Sequence, residues 1–330
     1  MGMIAIIFDN IGYSFTKSAI LTARGFSSVG YTDVRLVSIH GLFYVPAGTA
    51  IVIYDAKLYE RRHALVRSAV RGKLVLWVDT PADPSTLNPF IYNEACHVAC
   101  LPYWYREYER HGIPVCGWIP RPIDYDTATK VAEASREELC RDLWAKYGRY
   151  IFTIGSDNRI APSRPSRKGL DAYDKMCEEI KHKHDVKCLY AGNWDLENVV
   201  KLSGVGGLRE YELMRLMRCA EVFVWPSRGE GFGMPPIEAM SVGSVVVSSN
   251  APFNELITGI KFDYSEEKTA YCPEVGFSFR LFDYNIRELV DAVDYALSLH
   301  EDEREELRIN ASKARDLYRP DLIAIALTQV

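Results

Sequence analysis

Glutamine is all but missing from this chain of 330 residues, with Gln329 as its single example. Scarcity of thermolabile amides is a trait of heat-adapted proteins, in some of which intracellular disulfides also form. No apolar run approaches the roughly 18 residues that a membrane-spanning helix needs. Met1 to Asp9 runs into a strand-like segment with no charged leader before it, so the expectation is a cytoplasmic protein. Positive charge is not in excess either. The formal net charge is −5 and the pI is near 5.9, which gives no general electrostatic case for a nucleic-acid partner. GxxxxGK[ST], HExxH and GxSxG are absent, and SGVGGL at 203–208 lacks the GxGxxG spacing of a dinucleotide loop.

What is present is a soluble globular composition, 48% hydrophobic and 25% charged, long enough for two domains with separate cores. Eight cysteines are scattered through it, mostly in apolar segments, and read as reduced core residues. Cys96, His97 and Cys100 tempt a metal reading. Their segment is strand-like, however, and four strand steps separate the two thiols by about 13 Å, so no metal site is expected.

Strand and helix patterns alternate from the start. Apolar runs at 4–9, 34–39, 50–54, 74–79, 98–101 and 115–119 predict strands, with helices over 15–28, 57–71 and 105–110. The pattern restarts after IPRPIDYD at 119–126, where a polar helix follows the prolines. Strands are predicted at 150–155, 188–191, 199–202, 222–225 and 245–248, and helices over 169–182 and 210–218. Such alternation predicts an α/β protein of two Rossmann-like, doubly wound domains. The expected division is 1–122 and 123–330, with the last helix crossing back to the first domain. Two facing halves would place a ligand in a central cleft, outside the carboxyl ends of the strands.

One stretch concentrates the chemistry. Residues 226–249 read PSRGEGFGMPPIEAMSVGSVVVSS, with Glu230 and Glu238 eight positions apart. The apolar run before it reads as a strand and Ile237, Ala239 and Met240 as one side of a helix, whose first turn suits Pro235 or Pro236 and whose end suits Gly243. Gly229 to Met234 then forms a loop at a helix N-terminus, where a bare backbone and free N–H groups favour an anion or a hydroxyl-rich ligand. Solvated glutamates on an ordinary strand-to-helix turn would give the same pattern.

The stretch resembles the donor-site signature of retaining GT-B glycosyltransferases of family 4, in which two glutamates separated by seven residues flank a GFG loop. IPRPID at 119–124 resembles that family's interdomain IPNGVD, and RKGLD at 167–171 its basic phosphate segment. The likeness spans roughly residues 115–258. It implies GT-B architecture and a nucleoside diphosphate sugar as donor. Carried over residue by residue, it implies Glu238 on the ribose hydroxyls and Glu230 on the transferred sugar. The amides of Gly231, Phe232, Gly233 and Met234 would lie near sugar and phosphate, with Lys168 on the diphosphate.

Departures from the family are specific. Where an arginine usually follows the glycine ending the first strand of the donor domain, Gly155 is followed by Ser156 and the basic SDNRIAPSRPSRKG. Arg159 is the expected replacement, with Arg164 behind it. At a strand end of the first domain that often carries histidine, Val78 stands next to Asp79. Asp79 is the candidate to orient the acceptor hydroxyl or take its proton, although a strand-end aspartate also caps its own loop. Gly12 would let backbone approach the diphosphate.

The expected activity is sugar transfer to an acceptor hydroxyl on a glycan, lipid or small molecule, with the anomeric configuration kept. Glu230, Lys168 and Asp79 are the expected catalytic residues. No cofactor and no metal is expected, and the Asp124–Asp126 DxD reads as chance. A nucleotide-sugar epimerase or isomerase on the same scaffold, or a noncatalytic nucleotide-sugar binding subunit, shares these features. Lys57, Arg61, Arg62, Arg67, Arg71 and Lys73 face only Glu60 among acids, so residues 57–73 are a candidate for peripheral contact with an anionic membrane.

Overall fold

The computed structural model describes residues 2–9, 13–41, 44–45, 48–78, 81–155, 166–204, 207–272 and 277–330. The chain divides into two compact units. One comprises 1–124, 277–279 and 317–330, and the other 125–276 and 280–316.

The first unit alternates strand and helix as β1 (Ile4–Phe8), α1 (Tyr13–Ser28), β2 (Val34–Ser38), β3 (Thr49–Ile53), α2 (Ala56–Ala69), β4 (Lys73–Trp77), α3 (Pro89–Tyr92), β5 (Cys96–Ala99), α4 (Pro102–Arg110) and β6 (Gly117–Trp118). Its sheet is parallel throughout, in the order β2-β1-β3-β4-β5-β6. Parallel strands covered on both faces read as continuous apolar runs, and all five residues of β1 are buried. The edge strand β2 has instead only half-buried and exposed positions. Beyond β6, Arg121 is fully buried, its guanidinium 4.2 Å from the Trp77 ring and donating to the Trp77 carbonyl at 2.6 Å. The Trp77 indole donates in turn to the Ile119 carbonyl, which ties the proline-rich segment to β4.

The second unit runs α5 (Tyr125–Glu133), α6 (Arg136–Tyr147), β7 (Tyr150–Gly155), α7 (Leu170–Lys183), β8 (Lys187–Gly192), β9 (Val200–Ser203), α8 (Glu210–Cys219), β10 (Val222–Trp225), α9 (Met234–Ser241), β11 (Val246–Ser249), β12 (Ile260–Phe262), the paired β13 (Glu266–Cys272) and β14 (Phe277–Asp283), α10 (Ile286–Ser298) and α11 (Glu301–Ser312). Its main sheet has the order β12-β11-β10-β7-β8-β9, again parallel. Successive strands run outward from β7 in one direction and from β10 in the other. The topological switch point therefore lies between β7 and β10, and the loop after β10 flanks it. Leu170, Tyr173 and Met176 of α7 join Leu289 and Val293 of α10 over Ile151, Val222 and Val247 of the sheet.

Four of the eight cysteines depart from the reduced expectation. Cys96 pairs with Cys116, and Cys140 on α6 pairs with Cys219 at the end of α8. Burial does not sort them, because Cys140 and Cys219 are buried whereas Cys96 is half-buried and Cys116 exposed, and it gives no indication of which thiols meet across the fold. Cys100, Cys177 and Cys188 are free and buried. His97 is a core residue, packed between Tyr92 and Tyr108 and hydrogen-bonded to the Pro114 carbonyl, and burial pushes its pKa down to about 3.

After residue 316 the chain rejoins the first unit, where α12 (Pro320–Gln329) packs on α1. The approach is close enough that a Cβ on Gly25 would lie 2.0 Å from the Pro320 carbonyl oxygen. Only glycine permits it. Gly25→Ala should therefore push the two helices apart and lower stability by about 1–3 kcal/mol, the usual cost of overpacking. Gly41→Ala is the control, because its Cβ would meet nothing within 4 Å. Urea unfolding of both variants checks this; equal midpoints would show that α12 does not depend on the contact.

Candidate active site

The loop after β10 is built around one close crossing of backbones. Arg228 N–H donates to the Arg167 carbonyl at 2.8 Å, and Phe282 N–H donates to the Arg228 carbonyl at 2.7 Å. Residues 227–229 are thus held between the turn that precedes α7 and the end of β14. Gly169, the N-cap of α7, has φ 68°, and a Cβ there would lie 1.9 Å from the Pro226 carbonyl oxygen. Left-handed backbone and lack of room both require glycine at this point.

Arg228 fastens the crossing. Its side chain is almost fully buried, bonded to Asp171 at 2.7 Å, Asp283 at 2.8 Å and the Ser166 carbonyl at 2.6 Å, with the guanidinium 4.9 Å from the Tyr284 ring. Burial opposes its charge, but Tyr284, Asp171 and Asp283 outweigh that and raise its pKa above the ordinary arginine value.

On this frame sits Glu230, 6% exposed. Lys168 Nζ reaches both carboxylate oxygens, at 2.6 and 2.8 Å, Ser227 donates to Oε1 at 2.6 Å, and Arg167 Nη1 lies 3.4 Å from Oε2. Arg167 also donates to the Gly229 carbonyl at 2.6 Å. Burial alone would raise the Glu230 pKa. The charges of Lys168 and Arg167, with the hydrogen bonds from Lys168 and Ser227, outweigh it and hold the group below its ordinary 4.5, ionised at neutral pH. Lys168 Nζ lies in addition 5.3 Å from the centre of the Trp225 ring, a cation–π distance.

The loop then enters α9 as the proline positions predict. Gly233 is its N-cap at φ 79°, with proline in the first turn, and Gly243 beyond the helix has φ 76°. Phe232 and Met234 are buried, and Glu238, on the fifth residue of α9, is a carboxylate only 3% exposed.

Of the residues expected from sequence, Lys168 and Glu230 are thus in direct contact, and Gly231 to Met234 with Glu238 continue from the same loop into α9. Gly12, Asp79, Arg159 and Arg164 lie outside the described residues. Sequence reasoning missed Arg167, Ser227 and Arg228. Arg167 and Arg228 directly precede Lys168 and Gly229, so basic residues adjoining the two motifs were the available signal. Among the described residues, no cluster of three or more His, Cys, Asp or Glu side chains is placed to hold a metal ion, and no helix is long and apolar enough to cross a membrane.

Known proteins supply the context for this geometry. Residues 152–271 match the family model described as glycosyl transferases group 1. Over 255 residues the chain is 29% identical to a Sulfolobus islandicus filamentous virus protein that bears a glycosyltransferase name, covering 76% of this chain and 67% of that one. In fold it is similar to sucrose-phosphate synthase from Thermosynechococcus elongatus, with a TM-score of 0.71 at 14% identity over 100% of this chain and 98% of that one. Anabaena HepE, solved in complex with UDP and glucose, gives 0.67 at 13% identity over 100% of both chains. With its two Rossmann-like domains of the GT-B fold and a group 1 glycosyltransferase domain in the second unit, this chain is a glycosyltransferase.

Proposed function

We propose that the protein moves a sugar from a nucleoside diphosphate donor to an acceptor hydroxyl, keeping the anomeric configuration and requiring no metal. The observation that carries this reading is the buried Glu230 carboxylate, bridged by Lys168 with Arg167 beside it, on the loop that flanks the β7–β10 switch point. The complex of Anabaena HepE with UDP and glucose supports a donor of this class.

A diphosphate offered to the turn before α7 exchanges one anion for another. Lys168 and Arg167 turn from the carboxylate to phosphate oxygens, and the released Glu230 accepts hydroxyls of the moving sugar. Negative charge grows on the leaving phosphate in the transition state, where fixed cations and the amides of Gly231 to Met234 stabilise it. Arg159 adds a further cation, the backbone at Gly12 approaches the diphosphate, and Glu238 accepts the ribose hydroxyls. Asp79 orients the acceptor hydroxyl or takes its proton. The acceptor attacks on the face the diphosphate leaves, and neither glutamate is a covalent nucleophile.

The acceptor is a glycan, a lipid or a small molecule. Arg61, Arg62, Arg67, Arg71 and Lys73 are exposed on and after α2, which gives a lipid-linked acceptor a basic surface near which to dock, although Glu94 pairs with Arg67 at 3.0 Å. Flotation with anionic vesicles should retain the protein and neutral vesicles should not; equal failure with both removes the membrane from the proposal.

Because Lys168 and Glu230 are partners, their variants should separate binding from turnover. Glu230→Gln should spare or tighten nucleoside diphosphate binding, since it releases Lys168, while turnover falls roughly ten- to a hundredfold with the loss of a charged acceptor. Glu238→Ala should weaken nucleoside diphosphate and intact donor alike, and Lys168→Ala should weaken every ligand carrying a diphosphate. Calorimetry alongside rates, on variants shown to be folded, measures all three. Loss of diphosphate binding in Glu230→Gln with full binding in Glu238→Ala would reverse the assignment.

Turnover should also survive EDTA. Activity abolished by the chelator and restored by magnesium or manganese contradicts a reaction driven by lysine and arginine alone.

A further inference from the structure

The second unit contains a cavity of about 200 Å³ away from any residue assigned above. Glu133 of α5, Arg218 of α8, Gly243 after α9, Glu305 and Arg308 of α11, and Arg315 line it. Three arginines and two glutamates line it, and Glu301 pairs with Arg308 from outside the lining. Glu305 is already committed, because it and Glu301 both take Arg308 Nη1.

Several buried donors of these arginines have no acceptor. Arg308 is 1% exposed, and its Nη2 has no hydrogen-bond partner. Arg218 gives Nη1 to the Gly243 carbonyl at 2.8 Å, but its Nε has none. Arg315, 5.8 Å from the Tyr125 ring, leaves both Nε and Nη1 without an acceptor. Buried polar atoms are paired in native proteins with few exceptions, and such exceptions point to a bound water or ion. The electrostatics agree with an ion. Burial, reinforced by Arg308 and Arg218, pushes the neighbouring Arg136 down to about 10, and burial lowers Arg218 as well.

We propose that this cavity binds a small phosphate-class anion, inorganic phosphate or a phosphomonoester, through Arg218, Arg308 and Arg315. A tetrahedral oxyanion presents several acceptors at once, which matches guanidinium groups converging from α8, α11 and the turn after it. The space equals the liquid share of roughly seven waters at about 30 Å³ each, enough for a phosphate group with a small substituent.

The probes are inorganic phosphate and pyrophosphate, titrated calorimetrically into the full chain, with chloride at matched ionic strength as control. Phosphate should bind saturably to the wild type and equally to Lys168→Ala, which lacks the cation of the proposed donor site. Arg315→Ala, at a half-buried position, and Arg218→Ala should each weaken phosphate at least tenfold while leaving nucleoside diphosphate binding intact. Two readings from different helices keep the test decisive if one variant misfolds. Absence of saturable phosphate binding overturns the proposal, as does binding that Lys168→Ala removes and the arginine variants retain.

Discussion

Everything around the loop after β10 answers to one constraint: an ionised carboxylate buried as deeply as Glu230 must be matched by cations or it will not stay charged. The matching groups come from 62 and 63 residues earlier, on the turn before α7. Bringing Arg167 and Lys168 within reach forces that turn against the Pro226–Gly229 backbone. The crowding then dictates glycine at 169, and Arg228 with its two aspartates secures the crossing. Two strand–turn–helix units flanking the switch point are thereby locked together by a single charge requirement. Without its cations, Glu230 would be driven by burial to take up a proton.

The same coupling bears on chemistry. A lysine that bridges both oxygens of one carboxylate is held in place, so its charge is directed before any anionic ligand arrives. Electrostatic stabilisation of a leaving group is most effective when the charges need little rearrangement during the reaction. On the function proposed above, binding a diphosphate nonetheless requires Lys168 to leave a good partner, which lowers ground-state affinity. That cost falls on binding, whereas the benefit of directed cations is greatest where charge develops, so the arrangement favours the transition state over the substrate.

Much of the architecture was legible because parallel strands buried on both faces leave unbroken apolar runs. Val222–Trp225 and Tyr150–Gly155 coincide with β10 and β7, and the prolines at 235 and 236 marked the start of α9 correctly. Fold and glutamate loop could be read locally. What could not be read were contacts between distant segments. Nothing near Glu230 announces Arg167, and nothing in Cys140 announces Cys219, 79 residues away. Strand β13, charged and exposed along much of its length, has no apolar run to mark it, and the alternating apolar residues of its partner FSFRLFD at 277–283 went unused.

Helix α9 joins two oppositely constructed environments. At its N-terminus a buried carboxylate is surrounded by cations, and at its C-terminal end Val242 and Gly243 adjoin a cavity where arginines outnumber acids. Eight residues span only about 12 Å. Arginine cannot relieve such burial as lysine can, because its pKa stays far above neutrality even when depressed, as Arg136 at about 10 illustrates. The positive charge at that end is consequently permanent, and Glu301 and Glu305 meet it at Arg308 Nη1. The two ends of α9 therefore face opposite charge, a buried carboxylate before one and buried arginines beside the other.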